Sequence, residues 1–362
     1  MKKICFIAQF PYPMHGLSKA VETLYNSQLS EKYEFEKVDI TNNKRFLINL
    51  LSIKRSKADL FYFTISQTKG GNLRDLIIFK LLELQHKKCL IHLHGGYYRQ
   101  LVDDEICVWQ RKANYRAISK LCGAIVLGKS LKVIFEGMLP NDKIYIVPNC
   151  VDDQYLISNE EFVNKIDTLV NRKIKHVLYL SNFIRTKGYP EVLKMARMEK
   201  ECVDNGAEKR LHFDFAGKFL KKEEETFFSE YIKNNCLEEY VTYHGIVDGD
   251  EKRRLLRECD IFILLTRYPN EGQPISILEA MGNGMAIITT DHAGIPDIVK
   301  DGVNGVVIRK DKINVEECFK CLQEINLHRV EKTNRMQILS NSSEINYINN
   351  MKHVFDVASR GK

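Results

Sequence analysis

The sequence predicts an α/β protein made of two successive parallel sheets, each covered by helices on both faces. Three observations carry this. Apolar runs of strand length alternate with amphipathic runs of helical period along the whole chain. Glycine-bearing turns recur at the C-terminal ends of the strand candidates, where such sheets bind ligands. The alternation breaks once, over the polar and acidic stretch 150–175, and then restarts. At 362 residues the chain exceeds one ordinary core. The expected division is 1–165, 166–335 and a C-terminal helical segment, 336–362, that packs back toward the N-terminal domain.

In the first half KKICFIAQF reads as a strand, and Pro11-Tyr12-Pro13-Met14-His15-Gly16 as a turn. SKAVETLYNSQLSEK follows as an amphipathic helix with Ser18 as its cap. Strand candidates recur at EFEKVDI, ADLFYFTIS, KCLIHLHGG, CGAIVLG and KIYIVPN. Residues 44–57, KRFLINLLSIKRSK, set Lys44, Arg45, Lys54, Arg55 and Lys57 around Phe46, Leu47, Ile48, Leu50, Leu51 and Ile53. Two readings stand: a crossover helix packed on the sheet, or an interfacial helix resting on anionic lipid.

The second half gives strands KHVLYLSNF, RLHFDFAGKF, VTYHGIV, DIFILLT and GVVIRK, with PEVLKMARMEKEC and RRLLREC as helices. Gly188, Gly217 and Gly245 lie in or just after strand-end turns, where a missing side chain lets a ligand approach the backbone. The stretch from Thr266 to Gly305 is the most informative. A polar turn, Pro269 to Pro274, precedes an apolar helical pattern at Ile275, Ile277, Leu278 and Met281. Gly282 and Gly284 close that helix, and Ala286-Ile287-Ile288 is a buried strand. Glu271 on the turn and Glu279 in the helix stand beside backbone N–H groups, which suits a polyhydroxylated, partly anionic ligand. Surface acids on a plain strand–helix–strand unit would look the same.

Composition narrows the class. Hydrophobic residues at 44% and charged residues at 28% fit a globular chain. No apolar run reaches the ~18 residues that span a bilayer. The N-terminal run is interrupted by Gln9 and ends at Pro11, so it reads as a buried strand, not a signal peptide. Ten scattered cysteines form no framework, and a reducing cytoplasm is expected. Cys318 and Cys321, a CxxC within VEECFKCLQEI, read as core positions. Residues 1–150 hold 23 Lys+Arg against 13 Asp+Glu, whereas 151–362 hold 31 against 34. The basic first half calls for an anionic surface or substrate. No zinc knuckle, aromatic–basic RNA motif or helix-turn-helix accompanies it, so nucleic acid is set aside in favour of anionic lipid. The dinucleotide fingerprint GxGxxG is absent, which argues against an ordinary dehydrogenase.

Of the chemistry-bearing residues, Lys187 precedes a glycine at a strand-to-helix turn, where a cation can neutralise a diphosphate. Asp248-Gly249-Asp250 has the spacing of a metal-binding DxD, but it directly precedes a helix and reads better as a cap. His92 and His94 alternate along a strand and are expected on opposite faces, where they cannot easily share a metal. His94, beside Gly95 and Gly96, is the one placed to meet a ligand.

EGQPISILEAMGNG followed by AIITT and GIPDIVKDGVNG resembles the C-terminal signature of the family-4 retaining glycosyltransferases. IVPNCVD, LYLSNFIRTKGYPEVLKMA, FDFAG, VTYHGIV and DIFILLT extend the resemblance in the family's order, and HLHGG and PMHGLSKAVETL more loosely. It implies the GT-B architecture: two facing Rossmann-like domains with a ligand cleft between them. By position, it implies that Glu271 contacts donor-sugar hydroxyls and Glu279 the nucleotide ribose. Lys187 would hold the diphosphate, Gly16 would let the first loop approach it, and His94 would reach the sugar. Gly245, Ile246 and Val247 would hold the base through main chain. The backbone following Glu271, over Gly272, Gln273, Pro274 and Ile275, would face the sugar, with no N–H from Pro274. Gly217 joins this donor set as a strand-end glycine. Three positions depart from the family pattern. Asn182 replaces an arginine of the diphosphate site, with Arg185 nearby; His15 replaces the first glycine of a paired-glycine loop; Cys150 replaces the glycine of the PNG motif.

The resemblance therefore implies a metal-independent hexosyltransferase acting with retention. It would move sugar from a nucleotide-diphosphate donor, a UDP-sugar by expectation, to a glycan or lipid-diphosphate-linked acceptor in cell-surface polysaccharide synthesis. The donor is a co-substrate and no other cofactor is expected. The expected place is the cytoplasm, peripheral on the inner membrane face. Two alternatives share the fold: a nucleotide-sugar 2-epimerase, and a non-catalytic partner that only binds the nucleotide sugar.

Overall fold

The computed structural model describes residues 1–11, 16–169, 172–325 and 327–360. The chain divides into two compact units, one of Met1–Cys150, Pro269–Gln273 and Glu344–Lys362, the other of Val151–Tyr268 and Pro274–Ser343.

In the first unit six parallel strands form one sheet: β1 (Lys2–Ala8), β2 (Tyr33–Asp39), β3 (Leu60–Thr64), β4 (Cys89–His92), β5 (Gly123–Val126) and β6 (Ile144–Ile146). Their order is β2-β1-β3-β4-β5-β6. β1, β3, β4 and β5 are near-continuous runs of Ile, Val, Leu and Phe because helices cover both faces. Register is set at β1, where Ile4 faces Phe35 on one side and Leu60 on the other. The C-terminal helix Glu344–Arg360 belongs to this unit and buries Tyr347, Met351, Val354, Phe355 and Ala358 at helical spacing. Phe355 meets Phe6 and Tyr62 edge-on, and Asp356 accepts from the Tyr33 hydroxyl at 2.6 Å, so the last helix closes the core around the first strand.

The second unit has strands β7 (Lys175–Leu180), β8 (Leu211–Ala216), β9 (Val241–Tyr243), β10 (Ile261–Leu264), β11 (Ala286–Thr290) and β12 (Gly305–Ile308). Their order, β9-β8-β7-β10-β11-β12, reverses direction between β7 and β10. That is the order of a doubly wound nucleotide-binding sheet, whose crevice opens at the C-terminal ends of the two strands flanking the reversal.

Each strand candidate has its strand, usually trimmed by one to four residues where side chains leave the core. The divisions differ from those read in composition. The change of unit falls at Cys150 to Val151, because the acidic stretch beyond it forms a helix, Asn159–Leu169, that packs in the second unit. Its Lys165 is buried there and donates to the carbonyls of Leu256 and Asn283. The last helix of the second unit, Leu327–Asn341, likewise runs past residue 335. Arg335 holds it in place by donating to the Gly282 and Ile157 carbonyls. Ser18 is not a cap: the first helix, Gly16–Tyr25, begins two residues earlier and buries Ser18 in its first turn. Of the turn before it, residues 12–15, His15 included, lie outside the described residues. Cys318 is buried on the helix Val315–Glu324 with Cys321 half-buried, as core positions. The 44–57 segment forms a helix, Phe46–Arg55, that buries only Asn49 and Ile53 and leaves Leu47, Ile48 and Leu51 exposed.

Candidate active site

The crevice at β7 and β10 is built by a turn that only glycine permits. After β7 the chain runs through Asn182 into a single tight turn, Arg185–Lys187, and then the helix Tyr189–Asp204. Gly188 joins them at φ +89°, and a Cβ there would lie 2.7 Å from both the Leu265 side chain and its carbonyl oxygen. The turn is thus pressed against the end of β10, and the Arg267 amide donates to the Thr186 carbonyl at 2.7 Å. Lys187 is half-buried with its ammonium 5.3 Å from the Tyr268 ring centroid. Neighbouring β8 ends at Gly217, φ +146°, where a Cβ would overlap the Ser181 carbonyl oxygen. Its amide donates to the Gly245 carbonyl at 2.8 Å, which fixes the loop after β9. Beyond Gly245, Ile246 is 71% exposed and Val247 half-buried.

Asn182 is exposed, and its carbonyl accepts from the Tyr179 hydroxyl at 3.1 Å. Arg185 is held elsewhere: its guanidinium pairs with Glu224 at 3.1 Å and lies 4.5 Å from the Phe227 centroid. Among the described cations of this turn, Lys187 is the one on the β10 side.

Glu279 sits inside the helix Ile275–Gly282, which begins after Pro274 with no side-chain cap on its first amides. Burial pushes its carboxyl above the usual range, and Lys252 pulls the other way, its ammonium 2.7 Å from Oε1. The Lys252 ammonium also rests 3.9 Å from the Tyr155 ring centroid, and the Tyr155 hydroxyl donates to Asp248. Asp248 occupies the N-cap position of the helix Gly249–Glu258, as the capping reading requires, but its side chain makes no cap bond there and its carboxylate takes the Tyr155 hydroxyl.

In the first unit the two histidines correct the expectation made for them. Residues two apart on a strand share a face, and the His92 and His94 rings lie 3.9 Å apart, tilted by 32°. His92 is fully buried and bonds the Tyr62 hydroxyl through Nδ1 at 2.7 Å; burial, followed by His94, holds its pKa well below the usual histidine value. That keeps the inner ring neutral, while half-buried His94 lies just past the C-terminal end of β4. The turn Pro269–Gln273 belongs to the same unit and is laid against this end. A Cβ on Gly95 would come 2.7 Å from the Asn270 carbonyl oxygen, and one on Gly272 would overlap the His94 carbonyl. Glu271 is buried on this turn. The Gln273 side chain is committed to structure: Oε1 accepts from the Asn149 amide at 2.8 Å, and Nε2 donates to the Leu127 carbonyl at 3.2 Å. Asn149 returns a bond from Nδ2 to the Gln273 carbonyl at 2.9 Å, so only the Gln273 amide is left to meet a ligand.

The structure therefore gathers Lys187, Gly217, Gly245 and Asn182 at strand ends of the second sheet, with Pro274, Ile275 and Glu279 in the same unit. His94, Glu271, Gly272 and Gln273 gather in the first, where Gly16 opens the helix after β1. Sequence reasoning missed Lys252, Tyr155, Tyr268 and Asn149. Lys252 had a signal, since it stands four residues past the Asp248 cap and thus one turn into its helix. The others are positioned by contacts distant in sequence.

Comparison with known proteins agrees with this geometry. Residues 161–337 match the family described as glycosyl transferases group 1. An uncharacterised protein of the cps region of Klebsiella pneumoniae is 23% identical over 295 residues, 79% of this chain and 73% of that one. The amylovoran biosynthesis glycosyltransferase AmsK of Erwinia amylovora is 36% identical, but over 78 residues, 20% of this chain and 19% of its own. Among solved structures, Anabaena HepE in complex with UDP superposes with a TM-score of 0.72 at 13% identity, covering 98% of this chain and 100% of that one. The two doubly wound sheets are those of the GT-B fold.

Proposed function

Residues 161–337 form a glycosyl transferases group 1 domain, and from it we propose that the chain transfers a sugar from a nucleotide-diphosphate donor, a UDP-sugar, with retention of anomeric configuration. The observation that carries this is Lys187 on a glycine-pinned turn at the β7/β10 reversal, where doubly wound sheets take a diphosphate. The acceptor hydroxyl attacks the anomeric carbon on the face from which the diphosphate departs. As the new C–O bond forms and the old one breaks, a departing phosphate oxygen takes the acceptor's proton. Lys187 and the amides opening the helix Ile275–Gly282 offset the charge that develops. No enzyme carboxylate serves as nucleophile, unlike retaining hydrolases. Glu271 and His94 hold the sugar and Glu279 the ribose, while the main chain of Gly245 to Val247 holds the base. In this reading no metal is required.

The acceptor is a glycan or a diphosphate-linked lipid in cell-surface polysaccharide synthesis, reached from the inner face of the cell membrane. The cps-region and amylovoran relatives support this, as does the net charge of the first half. Among the described residues no helix is long and apolar enough to cross a membrane.

A thermal-shift series with UDP-, GDP- and ADP-sugars tests the donor. At a hundredfold excess over Kd the right one should add about 2.7 kcal/mol of stability. NMR of the product then reads the anomeric configuration. Silence with all three nucleotides, or an inverted product, sinks the proposal.

A further inference from the structure

Three helices of the first unit leave an apolar face unpartnered among the described residues. The helix Phe46–Arg55 turns Leu47 and Leu51 outward; the helix Lys69–Leu84 adds Leu73, Ile77 and Leu84; the helix Val108–Ile118 adds Trp109. They pack side by side and enclose a groove of about 930 Å³. Leu47 is 74% exposed and Trp109 60% exposed, where single exposed apolar residues would be unremarkable but a contiguous set is not.

We infer that this face docks the protein on an anionic lipid bilayer, with the leucines and Trp109 entering the headgroup boundary. The charge around it selects that occupant. Lys54, Lys80 and Arg116 line the groove, and Lys44, Arg45, Arg55 and Lys112 are exposed on the same helices or directly before them. The acid in the groove, Glu83, is already paired with Lys80 and Lys120. Among the described residues no carboxylate pairs with Lys54, Arg55 or Arg116. Long basic side chains beside an apolar stripe can lay their stems along it and reach headgroup phosphates. A second copy is disfavoured by the same rim, since a two-fold contact would set these cations against themselves. The inference goes beyond the transfer reaction and stands whichever donor is used.

Trp109 is the sole tryptophan, so the patch carries its own reporter. Full-length protein is mixed with vesicles of phosphatidylcholine alone or with added phosphatidylglycerol, and sedimentation and Trp emission are followed. The expected result is co-sedimentation with the anionic vesicles only, a blue shift of Trp109, and release by salt. Leu47→Glu with Leu51→Glu should weaken partition at least about tenfold, with the far-UV spectrum and nucleotide-sugar thermal shift unchanged. A Lys54→Glu, Arg116→Glu variant, which keeps the apolar face, should lose the preference for anionic vesicles. Binding without a Trp109 shift, binding that survives Leu47→Glu with Leu51→Glu, or a dimer that this pair turns to monomer would overturn the inference. Vesicle binding without any nucleotide-sugar shift would instead leave it standing and count against the proposed reaction alone.

Discussion

Lys252 donates to Glu279 across 2.7 Å, from one helix of the second unit to another, with both side chains largely withdrawn from water. A buried carboxylate at that site is tolerated because a cation faces it, and the Tyr155 ring beneath the ammonium adds a second contact. Lys252→Ala leaves the carboxylate buried alone and should cost about 3 kcal/mol in urea unfolding. Lys252→Met with Glu279→Leu should recover most of that while abolishing donor binding, which separates the stability of the pair from its use. Equal losses in the single and double variants would contradict it.

Lys187 stands half-buried on its turn with the ammonium over the Tyr268 ring, on the β10 side of the crevice. Lys187→Ala is expected to lower kcat/KM roughly a hundredfold or more, with a melting temperature near that of the wild type. A fall in stability with activity kept would assign the lysine to structure.

Gly217 and Gly245 share a hydrogen bond and differ in the room around them. A Cβ at Gly217 collides with backbone, whereas one at Gly245 meets open space at φ +72°. Gly217→Ala should cost more than about 2 kcal/mol, and Gly245→Ala about 1 kcal/mol from the left-handed backbone alone. Chemical denaturation of both variants reads the order.

Glu331 is fully buried, neither carboxylate oxygen has a hydrogen-bond partner among the described residues, and burial raises its pKa from 4.5 to about 7. Its folded pKa exceeds its unfolded one, so the Glu331 contribution to stability is fully present below pH 4.5 and is lost as pH rises from there through about 7. Glu331→Gln should remove that fall, gaining on the order of 2 kcal/mol at pH 8 and little at pH 4.5. Melting curves at the two pH values decide it.

Gln273→Ala would take the bracket off the turn that carries Glu271, losing two buried hydrogen bonds to the backbone of Asn149 and Leu127. A cost of about 2 kcal/mol is expected, with weakened donor binding although the amide that could meet the sugar remains. Unchanged binding would show that the turn keeps its shape without the bracket.

What the sequence by itself determined is what local periodicity and turn chemistry encode. The inner strands of both sheets were legible as apolar runs because a parallel strand covered on both faces must be apolar throughout, whatever its partners. Glycines at Gly188 and Gly217 marked strand ends because no other residue fits those turns. The motif from Glu271 to Gly305 likewise named the helix and the strand after it. Tertiary structure alone decided who faces whom. Lys252 found Glu279, and the Gln273 side-chain oxygen took the Asn149 amide, through contacts that lie 27 and 124 residues apart in the chain. The same holds for the acidic stretch after Cys150, which composition read as a junction and packing made a helix of the second unit. The basic, leucine-rich segment 44–57 was ambiguous in sequence because a core stripe and an exposed one have the same period. Only the neighbours chosen by the fold left Leu47 and Leu51 facing outward.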